Sequence, residues 1–220
     1  MNGSRIVRRY FNPPGLCIVL CGADGSGKST IGNALVSELS GTFNPVKGRQ
    51  FHWKPPVFSG SRQAARAPVT DPHRTPPRNA FLSLIYFIVH WLEFFLGSYL
   101  RIRPVTSRGG LVLIDRYYYD FLVDQQRYRL RVPQWLVRLG LLFLKKPDLV
   151  LLLDAPAEVL HSRKQEVDLA EIRRQREAYL NMVKSLPNGH VVKAAQSVED
   201  VVKDIKKLIL QFMAERAGER

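Results

Sequence analysis

The sequence predicts an α/β fold, a three-layer α/β/α sandwich around a five-stranded parallel sheet, on three observations. Short apolar runs alternate with stretches of helical spacing along the chain. A glycine-rich turn joins the first run to the first helix, and two later runs each end in an aspartate. Strands alternating with helices imply a parallel sheet covered on both faces, with ligands gathered at the carboxyl ends of its strands. A chain of 220 residues can bury one substantial core, so a single domain over 1–220 is expected.

The elements follow in order. Leu16 to Cys21 is a continuous apolar run between turn residues, a buried parallel strand. Ser29 to Leu39 has helical spacing through Ile31, Leu35, Val36 and Leu39, with Gly41 as a stop signal. Gln50 to Trp53 is a short second strand. Residues 54–78 hold six of the 14 prolines and four arginines, which makes this stretch a long loop. Ala80 to Leu100 is the most apolar segment and approaches the ~20 residues of a membrane-spanning helix. His90, Glu93 and the serines argue for a buried central helix, with an interfacial membrane helix as the alternative. Leu111 to Ile114 is a third strand ending at Asp115, and Val132 to Lys146 has the spacing of a helix. Leu149 to Leu153 is a fourth strand ending at Asp154. Pro156 to Gln165 and Leu169 to Lys184 are helices, His190 to Lys193 is the last strand, and Val198 to Met213 is an amphipathic terminal helix.

The chemistry is concentrated in one motif. Gly22, Gly27, Lys28 and Ser29 meet the pattern G-x-x-x-x-G-K-[ST], placed after a strand and before a helix. This is a phosphate-binding loop, and the fold class becomes that of the P-loop NTPases. Its glycines, among them Gly25 beside Ser26, let backbone N–H groups converge on phosphate oxygens where a helix N-terminus adds a favourable field. Lys28 is expected to reach the β- and γ-phosphates of ATP, and the Ser29 hydroxyl to ligate Mg²⁺. Asp24 lies inside the loop; it could orient a metal-bound water, meet an arginine of a substrate, or stabilise the turn. Asp115, at a strand end and followed by Arg116, suits a carboxylate on the metal side next to a phosphate-binding guanidinium. Asp154 precedes Ala155-Pro156 and is expected to cap the next helix.

The chain resembles the thymidylate kinase family of nucleoside monophosphate kinases in five pieces that occur in the family's order. Asp24 to Thr30 resembles its P-loop, which adds Thr30 to the nucleotide-binding residues. Asp115-Arg116-Tyr117, with Asp120 and Gln125, is similar to its DRY segment. Lys146 to Val159 resembles its penultimate strand and turn, Arg174 to Leu180 the helix after its lid, and Ser197 to Val201 its final turn and helix. The resemblance implies that Arg116 contacts the transferring or acceptor phosphate and that Asp115 helps place Mg²⁺. It also implies a lid over 162–173, in or beside which Arg163, Lys164, Arg173 and Arg174 lie. Of these, Arg163 and Arg174 are expected to serve catalysis, because a lid arginine must close over the γ-phosphate. Arg176 is expected on a solvated helix face. On the acceptor side, Cys21 stands where the family has an acidic residue. Ala80 to Leu100 has no arginine where the family's central helix supplies one.

The expected activity is transfer of the γ-phosphate of ATP to a nucleoside monophosphate such as dTMP. One alternative is a kinase of a sugar, glycan precursor or lipid-linked acceptor near a membrane. A second is a nucleotide-dependent switch or nucleic-acid-binding protein without kinase activity. The net charge of +14 calls for anionic partners. Its scatter over loop, lid and terminal helix, without an aromatic stacking platform, disfavours nucleic acid. A homodimer through the apolar helix and a peripheral membrane contact are both compatible with that helix. Cys17 and Cys21, four residues apart on a strand, stand roughly 13 Å apart. That exceeds the ~7 Å limit for a disulfide, so buried reduced thiols are expected. The five histidines have no metal-ligand spacing. Arg5, Arg8 and Arg9, followed by Asn12-Pro13-Pro14-Gly15, do not have the composition of a signal peptide, so the expected compartment is the cytoplasm, with membrane association possible.

Overall fold

A computed structural model describes residues 13–39, 41–43, 49–52, 76–165 and 167–218. Five strands form one parallel sheet: β1 (Leu16–Cys21), β2 (Arg49–His52), β3 (Leu111–Asp115), β4 (Leu149–Asp154) and β5 (Gly189–Lys193), in the order β2-β3-β1-β4-β5. The helices are α1 (Lys28–Leu39), α2 (Ala80–Gly97), α3 (Arg103–Ser107), α4 (Asp120–Val123), α5 (Gln134–Leu141), α6 (Ala157–Arg163), α7 (Leu169–Lys184) and α8 (Val198–Gly218). A π-helical turn, Ser98–Ile102, joins α2 to α3.

Alternation along the strands sends side chains to two separate cores, one on each face of the sheet. On one face Leu16, Ile18 and Leu20 of β1 pack with α1 through Ile31 and Leu35, and with α8 through Ile205 and Ile209. On the other face Cys17, Val19 and Cys21 meet Phe87 and Phe94 of α2, Phe121 of α4, Val137 of α5 and Tyr179 of α7. Both cysteines are buried and unbridged. Burial pushes the Cys17 thiol up to about 11, which fits a side chain used for packing.

The central strand is where the topology turns. β1 pairs with β3 on one side, Leu20 opposite Asp115, and with β4 on the other, Cys21 opposite Leu152. The carboxyl end of β1 is therefore the switch point of the sheet, and a ligand crevice is expected there.

Several elements differ from the sequence expectation. The helix expected over 132–146 is confined to Gln134–Leu141, because Leu142, Phe143 and Leu144 donate to carbonyls three residues back and tighten into a turn. The terminal helix runs on to Gly218. Of the loop expected at 54–78, residues 54–75 lie outside the described residues, as does Trp53 at the expected end of β2. The apolar helix is the larger correction. α2 buries Ser83, Phe87, Glu93 and Phe94 against the sheet but leaves Phe81, Ile85, Ile88 and Leu92 exposed, so it is half-buried rather than a central core helix.

Candidate functional site

The site begins where β1 ends. The chain leaves Cys21 through Gly22 and turns at Gly25, which has a φ of +83°. A Cβ at Gly25 would lie 2.3 Å from the backbone oxygen of Leu160 in α6, so only glycine lets the loop rest against that helix. The helix that follows starts at Lys28, and Ile31 N–H donates to the Gly27 oxygen at 2.9 Å. Lys28 is buried, with its ammonium donating to the oxygens of Gly22 and Ala23 at 2.9 Å each and to the Ser26 hydroxyl at 3.2 Å. Burial, and then the Arg116 guanidinium, pull its pKa down to about 8 against the opposing pull of Asp115, Asp24 and Asp120. A cation held on loop carbonyls in a dry setting is suited to an anion that would balance its charge.

One residue further along α1, the Ser29 hydroxyl donates to a carboxylate oxygen of Asp115 at 3.0 Å. The two residues come from β3 and from the start of α1, 86 positions apart in sequence. A hydroxyl and a carboxylate joined at the mouth of a phosphate-binding loop are hard oxygen donors of the type Mg²⁺ takes. The residues present therefore fit Mg²⁺, which Ser29 and Asp115 would hold. Thr30, the next residue, is exposed on α1.

Opposite this pair lies a network not anticipated from the sequence. The two carboxylate oxygens of Asp24 are gripped separately, one by the Arg116 guanidinium and the other by that of Arg127. Burial alone would push the Asp24 carboxyl up, but Arg116 first, then Arg127 and Lys28, hold it down at about 2. Asp24 is thus held by two arginines of the chain itself, a role not among those expected for it. Each arginine is braced by its own buried carboxylate. Arg116 donates to Asp120 at 3.3 Å, and Asp120 also accepts from the hydroxyls of Tyr128 at 3.0 Å and Tyr179 at 2.9 Å. Arg127 pairs with Asp124 at 3.5 Å, and Asp124 accepts from Gln175 at 3.0 Å. Arg116 sits at a φ of +69°, a left-handed conformation that disfavours side chains with a Cβ and is held by its N–H bond to the Leu20 oxygen at 3.1 Å.

Arg127 is the residue at the site that sequence reading missed. It has no motif of its own; the only signal was a cluster of Asp120, Asp124 and Arg127 at near-helical spacing after Arg116. The chain doubles back through α4 and a short 3₁₀ turn, Gln126–Tyr128, and this return brings Arg127 to the loop.

The arginines expected in or beside the lid have partners outside the phosphate-binding loop in this structure. Arg163, the last residue of α6, donates to the Ala194 oxygen at 2.9 Å beyond β5. Arg174 on α7 pairs with Glu171 at 2.5 Å and donates to the Val123 oxygen at 3.1 Å. Arg173 pairs with Glu158 at 2.7 Å. One expectation is corrected here. Asp154 does not cap α6, whose N-terminal residue has no side-chain cap. Both its oxygens accept from Arg176, at 2.7 and 2.8 Å, so Arg176, on a helix face and still 35% exposed, forks onto a carboxylate. Arg176, with Pro156, Ala157, Glu158, Arg173 and Glu177, lines a cavity of about 260 Å³ between α6 and α7.

Comparison with known proteins decides the lineage. Residues 20–205 match the sequence profile described as Thymidylate kinase. The chain belongs to the thymidylate kinase family. A protein named probable thymidylate kinase from Thermococcus onnurineus is 36% identical over 123 residues, 52% of this chain and 59% of that one. Another of the same name, from Thermococcus gammatolerans, is 37% identical over 118 residues, 50% and 56% respectively. The chain thus spans well under two thirds of the length of these two relatives. A thymidylate kinase from Desulfotalea psychrophila is 30% identical over 216 residues, 92% of this chain and 98% of that one. The thymidylate kinase match takes in the P-loop, Asp115, Arg116, Arg127 and the lid arginines, so the site described above lies wholly inside the family region.

Proposed function

We propose that this chain is an ATP-dependent kinase that transfers the γ-phosphate to a nucleoside monophosphate, with dTMP the first acceptor to try. The observation that carries this reading is the meeting of three groups at the end of β1: Lys28 on the loop, the Ser29–Asp115 pair, and the two arginines on Asp24. ATP would lie with its phosphates along the amides of 22–30, in contact with the Lys28 ammonium. Mg²⁺ held by Ser29 and Asp115 would neutralise charge on the phosphate oxygens. Arg116 and Arg127, released from Asp24, have the planar donor geometry to take an acceptor's phosphate and hold it in line. A phosphate nucleophile needs no strong base, so the residues supply position and charge.

The same reading extends to the rest of the chain. We take 1–220 as one kinase domain and 162–173 as its lid. Arg163 and Arg174 would exchange their present partners for phosphate oxygens when the lid closes. The protein works in the cytoplasm.

An ADP-release assay across nucleoside monophosphates tests the core of the proposal. Release that exceeds the ATPase background with one or more monophosphates is expected. Background rates with every monophosphate, in protein that still binds MgATP, would remove the nucleotide acceptor and leave the kinase of another small acceptor.

A further inference from the structure

Each of the two arginines on Asp24 has a second carboxylate behind it, Asp120 for Arg116 and Asp124 for Arg127. An arginine that leaves Asp24 for an incoming phosphate keeps its aim only if that second carboxylate stays in place. The local chain gives Asp120 and Asp124 little support. They open and follow α4, a helix of four residues, and a single turn of helix does not stand unaided.

The support comes from α7, a helix of 16 residues. Gln175 and Tyr179 stand one turn apart on its buried face. The Tyr179 hydroxyl donates to Oδ1 of Asp120 at 2.9 Å, while Arg116 and the Tyr128 hydroxyl donate to Oδ2 at 3.3 and 3.0 Å. The Gln175 amide donates to Oδ2 of Asp124 at 3.0 Å, the same oxygen that faces Arg127 Nε at 3.5 Å. Oδ1 of Asp124 accepts from the Arg127 backbone N–H at 3.1 Å. Gln175 is itself fixed by Glu171, one turn earlier, at 3.0 Å, and Arg174 ties α7 to the Val123 oxygen at 3.1 Å. Apolar side chains could fill the space of Gln175 and Tyr179 equally well. A buried amide and hydroxyl that each donate to a buried carboxylate add direction, because neither group can turn away without losing its partner in a dry interior.

We infer that Tyr179 and Gln175 are positioning residues for phosphoryl transfer, Tyr179 setting Arg116 through Asp120 and Gln175 setting Arg127 through Asp124. The inference rests on the kinase reading above, in which both arginines receive the acceptor's phosphate. It makes α7, the helix that follows the 162–173 segment, the element that sets the acceptor side of the site.

The test uses the full chain and the monophosphate that gives the fastest ADP release. Tyr179→Phe keeps the ring and removes the donor; Gln175→Met keeps the length and removes the amide. Tyr179→Phe should lower kcat about 3- to 10-fold with the acceptor KM kept, the scale of one hydrogen bond. Gln175→Met should raise the acceptor KM by a similar factor with kcat kept, and should add nothing in an Arg127→Ala background. The KM for ATP should be parental in both. Val183→Ala, which loosens the buried far end of α7 away from both carboxylates, should lower the melting temperature and leave these constants unchanged. Parental kinetics in Tyr179→Phe and Gln175→Met would overturn the inference, as would the same losses in Val183→Ala. A second readout needs no turnover: arginine side-chain ¹⁵N spectra of the unliganded protein, assigned with Arg116→Lys and Arg127→Lys. Tyr179→Phe should shift the Arg116 signals and Gln175→Met those of Arg127, each leaving the other in place. If protein that binds MgATP accepts no monophosphate, the nucleotide acceptor falls, and these spectra alone decide the positioning; signals that ignore both substitutions would overturn it.

Discussion

At the scale of single residues, the site is a set of cations held in readiness by carboxylates. Asp24 occupies both Arg116 and Arg127 with one oxygen each, so an incoming phosphate exchanges one anion for another without dragging bare guanidinia out of water. Arg127→Ala should therefore raise the KM for the acceptor. The loss of one charged hydrogen-bond partner, about 1.5–3 kcal/mol, corresponds to a roughly 10- to 150-fold fall in kcat/KM, with the KM for ATP nearly unchanged. Arg116→Ala should instead collapse turnover while ATP affinity is kept. Steady-state kinetics separate the two, and an Arg127→Ala enzyme with parental acceptor kinetics would show that the grip on Asp24 is structural. Lys28 yields a second expectation with a definite sign. Its pKa is lowered from 10.5 to about 8 by burial and then by Arg116, so the unfolded chain binds more protons between those values. This group then adds stability to the unliganded fold as pH rises through that window. Phosphate beside the ammonium reverses the shift, so nucleotide binding should take up a proton at about pH 8.5 and weaken as pH rises further. Calorimetry in two buffers of different protonation enthalpy reads the uptake directly; identical heats would contradict it.

At the scale of elements, the strands were the legible part. β1, β3 and β4 are continuous apolar runs because both of their faces are covered, and a run of that kind announces itself without periodicity. α2 was misread for a related reason. A helix apolar on every side carries no polar stripe to mark the exposed face, so the sequence cannot distinguish a core helix from one whose outer face is bare. α5 was misjudged in length, since Leu142 to Leu144 keep the apolar spacing although their hydrogen bonds have tightened into a turn. The contact between α2 and α5 depends on Gly140. A Cβ there would stand 2.3 Å from the Tyr118 hydroxyl and 2.9 Å from Trp91 Cδ1. Both neighbours lie against the aromatic core, where Tyr118 also donates to the Val137 oxygen at 3.2 Å. Gly140→Ala should cost about 1–3 kcal/mol by overpacking, seen as a lower urea midpoint with an unchanged slope. Gly41, whose Cβ would meet nothing within 4 Å, is the control: Gly41→Ala should move the midpoint little.

At the scale of the whole molecule, the site draws together residues that sequence distance hides. Ser29 and Asp115 could be anticipated separately, one from the P-loop pattern and the other from a strand that ends in a carboxylate. The parallel register then sets the carboxyl end of β3 beside that of β1. Arg127 could not be anticipated, since its place depends on a return of chain through α4 that no local pattern encodes. Because one switch point joins both halves of the sheet, a ligand there bridges β1, α1, β3 and the α6 edge at Gly25, and its binding energy should appear as stability of the entire fold. MgATP at about 100 times its Kd should add roughly 2.7 kcal/mol. For a chain of this size that is a rise of roughly 5–10 °C in melting temperature. Lys28→Met should abolish the rise with magnesium present, and chelating the metal should diminish it in the parent, because Ser29 and Asp115 then face the phosphates without an intervening cation. A parent protein whose melting temperature is indifferent to MgATP would mean that the loop at the end of β1 does not hold a nucleotide, and the kinase reading would fall with it.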